Sequence, residues 1–351
     1  MVIILTSNYD AGILQFAVQM KDEFTKIKGK AVLFAPEQSG LAGDEIELYE
    51  RRSSLLPFDK CYLEIANRIN DYQPECVFVC DTNLITGRII LALRNNIPVY
   101  TVIHDVTAHA SYNSIKAAFK EEMKRPYVLC ALKRAKRIVL MSKHSHKLFG
   151  EKYPHFANKT ALLRLGAHVP AVEEEQPTEV RNENGYILFF GRIDKYKGII
   201  NLLKSYEANQ QNIHRKVIIA GRGRLTEEER RIIQRHSEKI ILVERYIRDG
   251  EMIWLFRHAS CTVLPYIEAS QSGVLSMSYF FGKPVIVSNL DGLTEFVEDG
   301  ATGVIYHNLT ELGNAMEKLP DKASQMKPTV DEYYMDELEW SRNLKRLISE
   351  S

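Results

Sequence analysis

The sequence predicts an α/β protein with two Rossmann-like domains, each an open parallel sheet covered by helices. Short apolar runs rich in β-branched residues alternate with longer amphipathic segments, which is the pattern of parallel strands joined by crossover helices. The chain has 351 residues, more than a single hydrophobic core usually organises. The apolar runs also fall into two sets, and the polar, acidic segment 172–184 separates them.

The two sets of apolar runs supply six predicted strands each, enough for a complete open sheet in both domains. The predicted strands of the first set are Val2–Thr6, Ala31–Phe34, Cys76–Cys80, Val99–His104, Arg137–Met141 and Ala161–Leu165. Those of the second set are Tyr186–Phe190, Val217–Ala220, Ile240–Val243, Thr262–Pro265, Val285–Ser288 and Val304–Tyr306.

The acidic segment and the end of the chain predict the domain boundaries. We expect a first domain over residues 1–170, a linker over 171–184, a second domain over 185–328 and a terminal helix over 329–351. From Asp331 onward, apolar and aromatic residues that include Trp340 recur at near-helical spacing. A helix with such a face must bury it, either on the second domain or back on the first.

The composition is that of an ordinary soluble protein, with 45% hydrophobic and 26% charged residues. The N-terminal residues lack the basic lead and cleavage site of a signal peptide, and no apolar run reaches membrane-spanning length. The five cysteines form no CxxC pair and show no metal-ligand spacing. We therefore expect free thiols and a cytoplasmic protein.

Basic residues are concentrated in one part of the first domain. The formal net charge is only +1, but residues 113–164 contain 13 basic and 3 acidic residues. Many of them fall on a predicted amphipathic helix. Such a face suits an anionic membrane surface or a phosphate-bearing acceptor, and an ordinary solvated helix face would look the same.

Four loops that follow predicted strands are candidate sites, because ligands of open parallel sheets bind beyond the carboxyl ends of the strands. In the first loop, Gly191 permits a tight exit from the strand, and Arg192 and Lys197 stand at the start of the next helix. Two fixed cations there could neutralise a diphosphate leaving group without a metal. The alternative is a basic, solvated loop.

The second candidate loop follows the strand Thr262–Pro265. Small residues before a helix make a turn whose backbone N–H groups can cradle a phosphate. An ordinary helix start capped by a serine would have a similar sequence. The residues of this turn are Gln271, Ser272, Gly273 and Val274.

The other two candidate loops lie in the first domain. His104 closes a strand, where it could contact a transferred group or move a proton, although a lone histidine is more often structural. Asp105, His109 and Tyr112 are nearby polar candidates for contacts with an acceptor. The loop after the first strand has a single glycine, Gly12, which disfavours a nicotinamide dehydrogenase. The chain also lacks the Walker A, D-x-D and G-x-S-x-G motifs.

The motifs of the second domain follow one another in a characteristic order. They are Gly191-Arg192…Lys197-Gly198, Ile218–Gly223, Val263–Pro265, Gly282–Ile286 and Asp291–Gly303. Their order and spacing resemble the family 4 glycosyltransferases (glycosyl transferases group 1), whose fold is GT-B, with two Rossmann-like domains facing across a cleft. The Gln-Ser-Gly turn resembles one branch of that family. In the first domain the resemblance is confined to short loops, and the terminal helix with Trp340 resembles the family's crossing helix.

The resemblance implies a retaining, metal-independent transfer of a sugar from a UDP- or GDP-sugar to a glycan or lipid-linked acceptor, in the synthesis of a surface polysaccharide or glycoconjugate. Arg192 and Lys197 would bind the donor diphosphate, and His104 would contact the transferred sugar. The resemblance implies neither a cofactor, since the nucleotide-sugar is a substrate, nor a nucleic-acid partner. The donor-binding residues it implies are Gly12, Gly191, Gly221, Gln271, Ser272, Gly273, Val274 and Glu295.

A basic first domain would also suit a lipid-linked or membrane-borne acceptor. Residues 113–164 would then contact an anionic membrane surface, and the protein would be peripheral on the inner face of the plasma membrane. This part of the interpretation combines the charge pattern with the family's use of its first domain for the acceptor.

One departure from the family pattern keeps a second function open. Most members carry two glutamates separated by seven residues, and the corresponding positions here are Ala269 and Met277, with Glu268 a possible substitute. A catalytically silent GT-B protein that binds a nucleotide or a partner enzyme is therefore the alternative. The presence of His104, Arg192 and Lys197 favours the active enzyme. A sugar-nucleotide epimerase on the same fold has no support beyond the architecture.

Overall fold

The computed structural model describes residues 1–9, 11–51, 61–106, 115–181 and 183–349, and for Ala11 and residues 115–124 it describes the backbone only. The chain divides into two compact units. The first comprises residues 1–164 together with 340–351, and the second comprises residues 165–339. Both are α/β units with a parallel sheet, as predicted.

The first unit contains a sheet of seven described strands in the order β3-β2-β1-β4-β5-β6-β7. The strands are β1 Val2–Leu5, β2 Ala31–Pro36, β3 Ile46–Tyr49, β4 Cys76–Val79, β5 Val99–Ile103, β6 Arg137–Leu140 and β7 Thr160–Leu162. The helices of this unit are α1 Ala11–Lys28, α2 Cys61–Asp71, α3 Leu84–Ala92, α4 Ile115–Arg134, α5 Lys143–Lys152 and, from the end of the chain, α12 Trp340–Ser349.

The first sheet is buried on both faces, which explains why its central strands are continuous apolar runs. Ile3 and Val77 face one apolar cluster, with side chains from α2 and α3. On the other face, Phe78 stacks on Tyr100 with ring centroids 4.5 Å apart. Strand β3 was not predicted, because it is an edge strand with three half-buried residues and a mixed polar pattern.

The second unit contains a sheet of six described strands in the order β10-β9-β8-β11-β12-β13. The strands are β8 Tyr186–Phe190, β9 Val217–Gly221, β10 Ile240–Glu244, β11 Ala259–Leu264, β12 Val285–Ser288 and β13 Gly303–Tyr306. The helices are α6 Ile199–Asn209, α7 Glu227–Arg235, α8 Asp249–His258, α9 Gly273–Phe280, α10 Asp291–Thr294 and α11 Leu309–Tyr333.

The second sheet also separates two apolar clusters. Along β8, Leu188 faces one cluster, whereas Ile187 and Phe189 face the other. This alternation buries the whole strand and fixes its register, since a shift of one residue would exchange the two faces. Across the described parts of both units, no helix combines the length and apolar character needed to cross a membrane.

The second unit begins earlier in the chain than the predicted boundary, which placed a linker at residues 171–184. The unit begins at Leu165, and the acidic segment lies on it. Arg245 donates hydrogen bonds of 2.8 and 2.9 Å to the carboxylate of Glu179, and Arg248 donates one of 2.6 Å to Glu175. Arginines near helix α8 therefore pair with the acidic side chains that gave the segment the composition of a linker.

The end of the chain returns to the first unit through helix α12, as expected. Trp340 packs against Phe16 of helix α1 with ring centroids 5.5 Å apart, and the Ser341 hydroxyl donates a 2.7 Å hydrogen bond to Glu23. The preceding residues differ from the predicted helix 329–351. They continue helix α11 and then form a π turn, Tyr334–Leu338, within the second unit.

Candidate functional site

The strand order places a switch point in each sheet. In the second unit, β8 lies between β9 and β11, so the connections that leave β8 and β11 diverge from two neighbouring strands. Crevices at such points are where ligands of open parallel sheets bind. The two loops that border this one are the predicted loops 191–198 and 265–274.

A glycine holds these two loops against each other. Gly198 has φ +65°, and a Cβ atom added to it would lie 1.9 Å from the carbonyl oxygen of Pro265. The Ile267 N–H group donates a 2.8 Å hydrogen bond to the Tyr196 carbonyl. The loop after β8 is therefore fixed against the loop after β11 by backbone contacts that leave no room for a side chain.

Two more glycines bring the loop after β9 to the same place. Gly221 has φ +156°, and a Cβ atom there would lie 1.7 Å from the carbonyl oxygen of Gly191. Gly191 has φ +115° and faces the side chain of Val274, at the start of α9, 3.6 Å from where its own Cβ would be. The predicted donor-binding residues Gly191, Gly221 and Val274 thus lie next to one another.

The two predicted cations stand at this junction and form no salt bridge within the described part of the chain, although the Asp194 carboxylate raises the pKa of Lys197. The Lys197 ammonium lies 3.7 Å from the centroid of the Tyr266 ring, a close cation–π contact. Burial lowers the pKa of Lys197 to about 8, and the positive charge of Arg192 adds to this shift. Arg192 itself is exposed. A bound anion would satisfy both charges.

The start of helix α9 is not capped by a side chain. Ser272 occupies the N-cap position, but its hydroxyl lies 3.3 Å from the Tyr266 hydroxyl and accepts no hydrogen bond from the helix. The interpretation of an ordinary serine-capped helix therefore does not hold. The N–H groups of Gly273 and Val274 stay available to an anion at the positive end of the helix.

The remaining predicted donor-side residues surround the loop after β11. The side-chain carbonyl oxygen of Gln271 is buried without a hydrogen-bond partner among the described residues. Glu295 follows the short helix α10, which packs closely on the loop, because a Cβ at Gly292 would lie 2.3 Å from the Ala269 carbonyl oxygen. Met277 is buried in the apolar core, away from any polar role.

A cleft of about 400 Å³ opens beside this junction, near the first turns of α6 and α11. Tyr266 connects the junction with the cleft, because its ring makes the cation–π contact with Lys197 and also lines the cleft. The lining carries amide, hydroxyl, imidazole and aromatic groups but no carboxylate, ammonium or guanidinium. The other lining residues are Asn201, Ser288, Asn289, Tyr306, His307, Asn308 and Leu309.

In the first unit, His104 follows β5 at the carboxyl edge of the sheet. Its Nε2 atom lies 2.8 Å from the carbonyl oxygen of Cys80. Because a carbonyl only accepts hydrogen bonds, Nε2 must carry the proton, and Nδ1 is left as an acceptor. Burial lowers the pKa of His104, so the ring is neutral at pH 7, and Phe16 packs edge-on against it at 4.9 Å.

A buried carboxylate, Asp81, lies beside His104 and is not among the residues predicted from the sequence. Asp81 follows β4, and its carboxylate accepts hydrogen bonds from the Ser7 N–H at 2.8 Å, the Ser7 hydroxyl at 2.6 Å and the Asn83 amide at 2.6 Å. Burial raises the pKa of Asp81. The available signal was a polar Asp-Thr-Asn sequence directly after a strand, but no glycine or histidine accompanied it.

The positions of the other candidate residues in the first unit say little about their roles. Gly12 lies in the first turn of α1 with open space around it, and Asp105 is exposed directly after His104. His109 and Tyr112 lie outside the described residues. Over the described ranges, no three His, Cys, Asp or Glu side chains form a group that could hold a metal ion.

The basic segment combines structural and uncommitted side chains. The Arg134 guanidinium donates two hydrogen bonds of 2.8 Å to backbone carbonyl groups, and the Lys159 ammonium donates to three carbonyls at the end of α4. Lys133 and Lys136 are exposed and form no ion pair within the described residues. Only part of the basic excess is therefore available to a partner.

Comparison with known proteins finds a family match confined to the second unit and a fold match over the whole chain. Residues 184–322 match the family described as glycosyl transferases group 1. No curated protein matches the chain in sequence.

Solved structures are similar over nearly the whole chain. Anabaena HepE in complex with UDP and glucose has 14% identity over 99% of this chain and 98% of that one, with a TM-score of 0.74. The sucrose-phosphate synthase of Thermosynechococcus elongatus has 16% identity over 100% of both chains and a TM-score of 0.72. A glycosyltransferase from Rickettsia africae has 16% identity over 99% and 97% and a TM-score of 0.70. These similarities confirm the predicted GT-B fold.

Proposed function

We propose that this protein is a glycosyltransferase that moves a sugar, with retention and without a metal, from a UDP- or GDP-sugar to a glycan or lipid-linked acceptor. Within the group 1 family we place it in family 4, in a branch marked by the Gln271-Ser272-Gly273 turn. The match of residues 184–322 and the UDP bound to a structural neighbour support a nucleotide-sugar donor.

The observation that carries the proposal is the junction of loops in the second unit. Arg192 and Lys197 form no salt bridge among the described residues, and the uncapped N–H groups of α9 lie beside Gly191. Cations and helix N-terminal amides together form a site for a diphosphate. Because the leaving group of the reaction is a nucleoside diphosphate, the same groups would stabilise the charge that develops as it departs.

The chemistry follows from these roles. The bond between the anomeric carbon and the diphosphate oxygen breaks, and the diphosphate keeps the electron pair. The acceptor hydroxyl oxygen bonds to the anomeric carbon, and its proton passes to the departing phosphate or to water. His104, neutral and with Nδ1 unprotonated, is suited to accept a hydrogen bond from a hydroxyl of the transferred sugar.

The donor-sugar contacts distinguish this proposal from a silent nucleotide-binding protein. Ala269 and Met277 occupy the positions of the family's two glutamates, and Met277 is part of the core. We propose that Gln271 and Glu295 supply polar contacts to the donor in this branch, since the Gln271 carbonyl oxygen has no partner among the described residues. A protein that only binds the nucleotide would keep the diphosphate site and show no transfer.

The first experiment measures thermal unfolding with UDP, GDP, ADP and their common sugars. A ligand at 100 times its dissociation constant adds about 2.7 kcal/mol, which raises the midpoint by a few degrees in a protein of this size. We expect one nucleotide to give this shift, and Arg192→Ala/Lys197→Ala to abolish it. Lys195→Ala is the matched control, because it removes an exposed charge from the same loop.

The nucleotide-sugar that raises the unfolding midpoint, called the stabilising donor below, is then used to test transfer. The measurement is the release of its nucleotide in the presence of a lipid extract that supplies the acceptor. Turnover above background, with the product anomer matching the donor, supports the proposal. A nucleotide-dependent shift without turnover on any donor supports the silent protein instead. The absence of any shift, or a shift that survives loss of both cations, would contradict the proposed site.

Peripheral binding to the cytoplasmic face of an anionic membrane is part of the same proposal. Lys133 and Lys136 are exposed at the end of α4 and the start of β6. Each basic residue near an anionic surface contributes about 1 kcal/mol. We expect binding to phosphatidylglycerol vesicles but not to neutral ones, and Lys133→Glu/Lys136→Glu should weaken it strongly. Equal binding to both kinds of vesicle would contradict this part.

A further inference from the structure

The end of strand β4 is a hydrogen-bond centre of the first unit. The buried carboxylate of Asp81 accepts hydrogen bonds from the Ser7 N–H, the Ser7 hydroxyl and the Asn83 amide, and a hydrogen bond from the Thr6 side chain also lowers its pKa. The Asn83 amide also lies 2.6 Å from the Ser7 hydroxyl oxygen. A carboxylate is the acceptor-only form that this set of donors requires, so the geometry calls for an ionised Asp81.

The same strand end also holds the catalytic candidate His104. The carbonyl that accepts the imidazole proton is that of Cys80, and it belongs to the peptide bond joining Cys80 to Asp81. The Asp81 carbonyl in turn accepts a 2.8 Å hydrogen bond from the Thr86 hydroxyl. Rotation of the peptide at Asp81 would therefore move the group that sets the orientation and tautomer of His104.

Ordinary stability does not require a carboxylate at this position. A buried charge costs free energy, and a neutral polar or apolar pair in its place is often as stable. Asp81 connects the loop after β1 with the end of β4, the two strands that form the switch point of the first sheet. Rigid support for loops at a ligand-binding edge is a reason to retain a costly buried acid.

We propose that Asp81 is a positioning residue. It holds the loop after β1 through Ser7, and it holds the peptide whose carbonyl keeps His104 in the tautomer that presents Nδ1 to the sugar. This inference rests on the proposed function. The titratable groups around the pair are Asp105 beside His104, Cys80 directly after β4, and Tyr49, whose hydroxyl donates to the Thr6 carbonyl at 2.7 Å.

The test uses the full chain with ¹⁵N-labelled histidine and the variant Asp81→Asn. The substitution keeps the size of the side chain but places an amide N–H₂ group where several hydrogen-bond donors point. We expect kcat on the stabilising donor to fall at least tenfold, while the nucleotide-induced shift of the unfolding midpoint stays as in the wild type. The His104 ring signals, assigned with His104→Gln, should lose the pure Nε2–H pattern.

Asp71→Asn is the matched control, since it neutralises an exposed carboxylate at the end of α2 and should change neither measurement. If Asp81→Asn does not fold, Ser7→Ala tests the same connection with the carboxylate intact, and kcat should fall at least threefold. Wild-type turnover in the folded variant, or unchanged His104 signals, would overturn the proposal. A wild type without turnover defeats the proposed function, whereas the His104 signals still test the positioning role.

Discussion

At the carboxyl edge of each sheet, neighbouring loops are fixed to one another, but the contacts that fix them differ between the two units. In the second unit, Gly191, Gly198 and Gly221 press backbone against backbone, and Lys197 contacts an aromatic ring rather than forming a salt bridge within the described residues. In the first unit, Ser7 and Asp81 join neighbouring loops through buried side-chain hydrogen bonds. One edge therefore depends on the absence of side chains, and the other depends on particular side chains.

The difference explains what each edge offers a ligand. Where glycine contacts carry the packing, the cations and the helix N–H groups need no protein partners and can meet an anion. Where side chains carry the packing, the polar atoms of Ser7 and Asp81 are already paired, and Nδ1 of His104 stays able to accept a hydrogen bond. The predictions below test whether the two edges respond to substitution in these different ways.

The largest expected effect is on the backbone junction of the second unit. Gly198→Ala places a Cβ atom 1.9 Å from the Pro265 carbonyl oxygen at φ +65°, so the two loops must separate. We expect a loss of about 3 kcal/mol, measured from urea unfolding, together with loss of nucleotide-induced stabilisation. Gly300→Ala is the matched control, since Gly300 has φ +78° but no atom within 4 Å of an added Cβ.

The control should lose only about 1 kcal/mol, the cost of a left-handed alanine. Because the protein has two units, the midpoint of the transition that reports on the second unit is the quantity to compare. Equal destabilisation by Gly198→Ala and Gly300→Ala would show that the junction does not depend on close approach.

The second prediction compares two buried serines, one at each edge. Ser7→Ala removes a hydroxyl that donates to Asp81, so we expect a loss of about 2 kcal/mol in the first unit. Ser272→Ala removes a hydroxyl whose nearest partner is a weak 3.3 Å contact with Tyr266, and its cost should stay below about 1 kcal/mol. A larger loss for Ser272→Ala would reverse the comparison.

The smallest expected effect concerns pH and the diphosphate site. The pKa of Lys197 is lowered to about 8 by burial, so the side chain is charged at pH 7 and mostly neutral at pH 9. Because an anion prefers the charged form, the affinity for the nucleoside diphosphate should fall about tenfold across this range. Titration calorimetry at several pH values measures it. Lys197→Met should bind weakly at every pH, and a wild-type affinity independent of pH would contradict the assignment.

Most of the fold could be predicted from the sequence, because the central strands of both sheets are buried on both faces and nearly every strand appears as a continuous apolar run. The exception, β3, is a half-buried edge strand without that pattern. The sequence also showed Gly191 and Gly198 bracketing two cations within one short segment, but the contacts of these glycines with Gly221 and Pro265 were not predicted.

The parts that could not be predicted depend on contacts distant in sequence. Asp81 acquires its importance from Ser7, 74 residues away, and neither residue looks unusual in its own segment. The acidic segment after residue 171 has the composition of a linker, and only its pairing with Arg245 and Arg248 places it on the second unit. Local patterns identify backbone geometry, whereas side-chain partnerships across the fold require the structure.

Helix α12 has a consequence for how such a gene can be recombined. The first unit is made from both ends of the chain, and the second is a single uninterrupted stretch from Leu165 to Glu339. Exchanging the second unit with that of another protein therefore needs two joints, one near residue 164 and one near residue 340. A chimera with a single joint near residue 164 would also replace Trp340, and Phe16 would lose the ring contact with it.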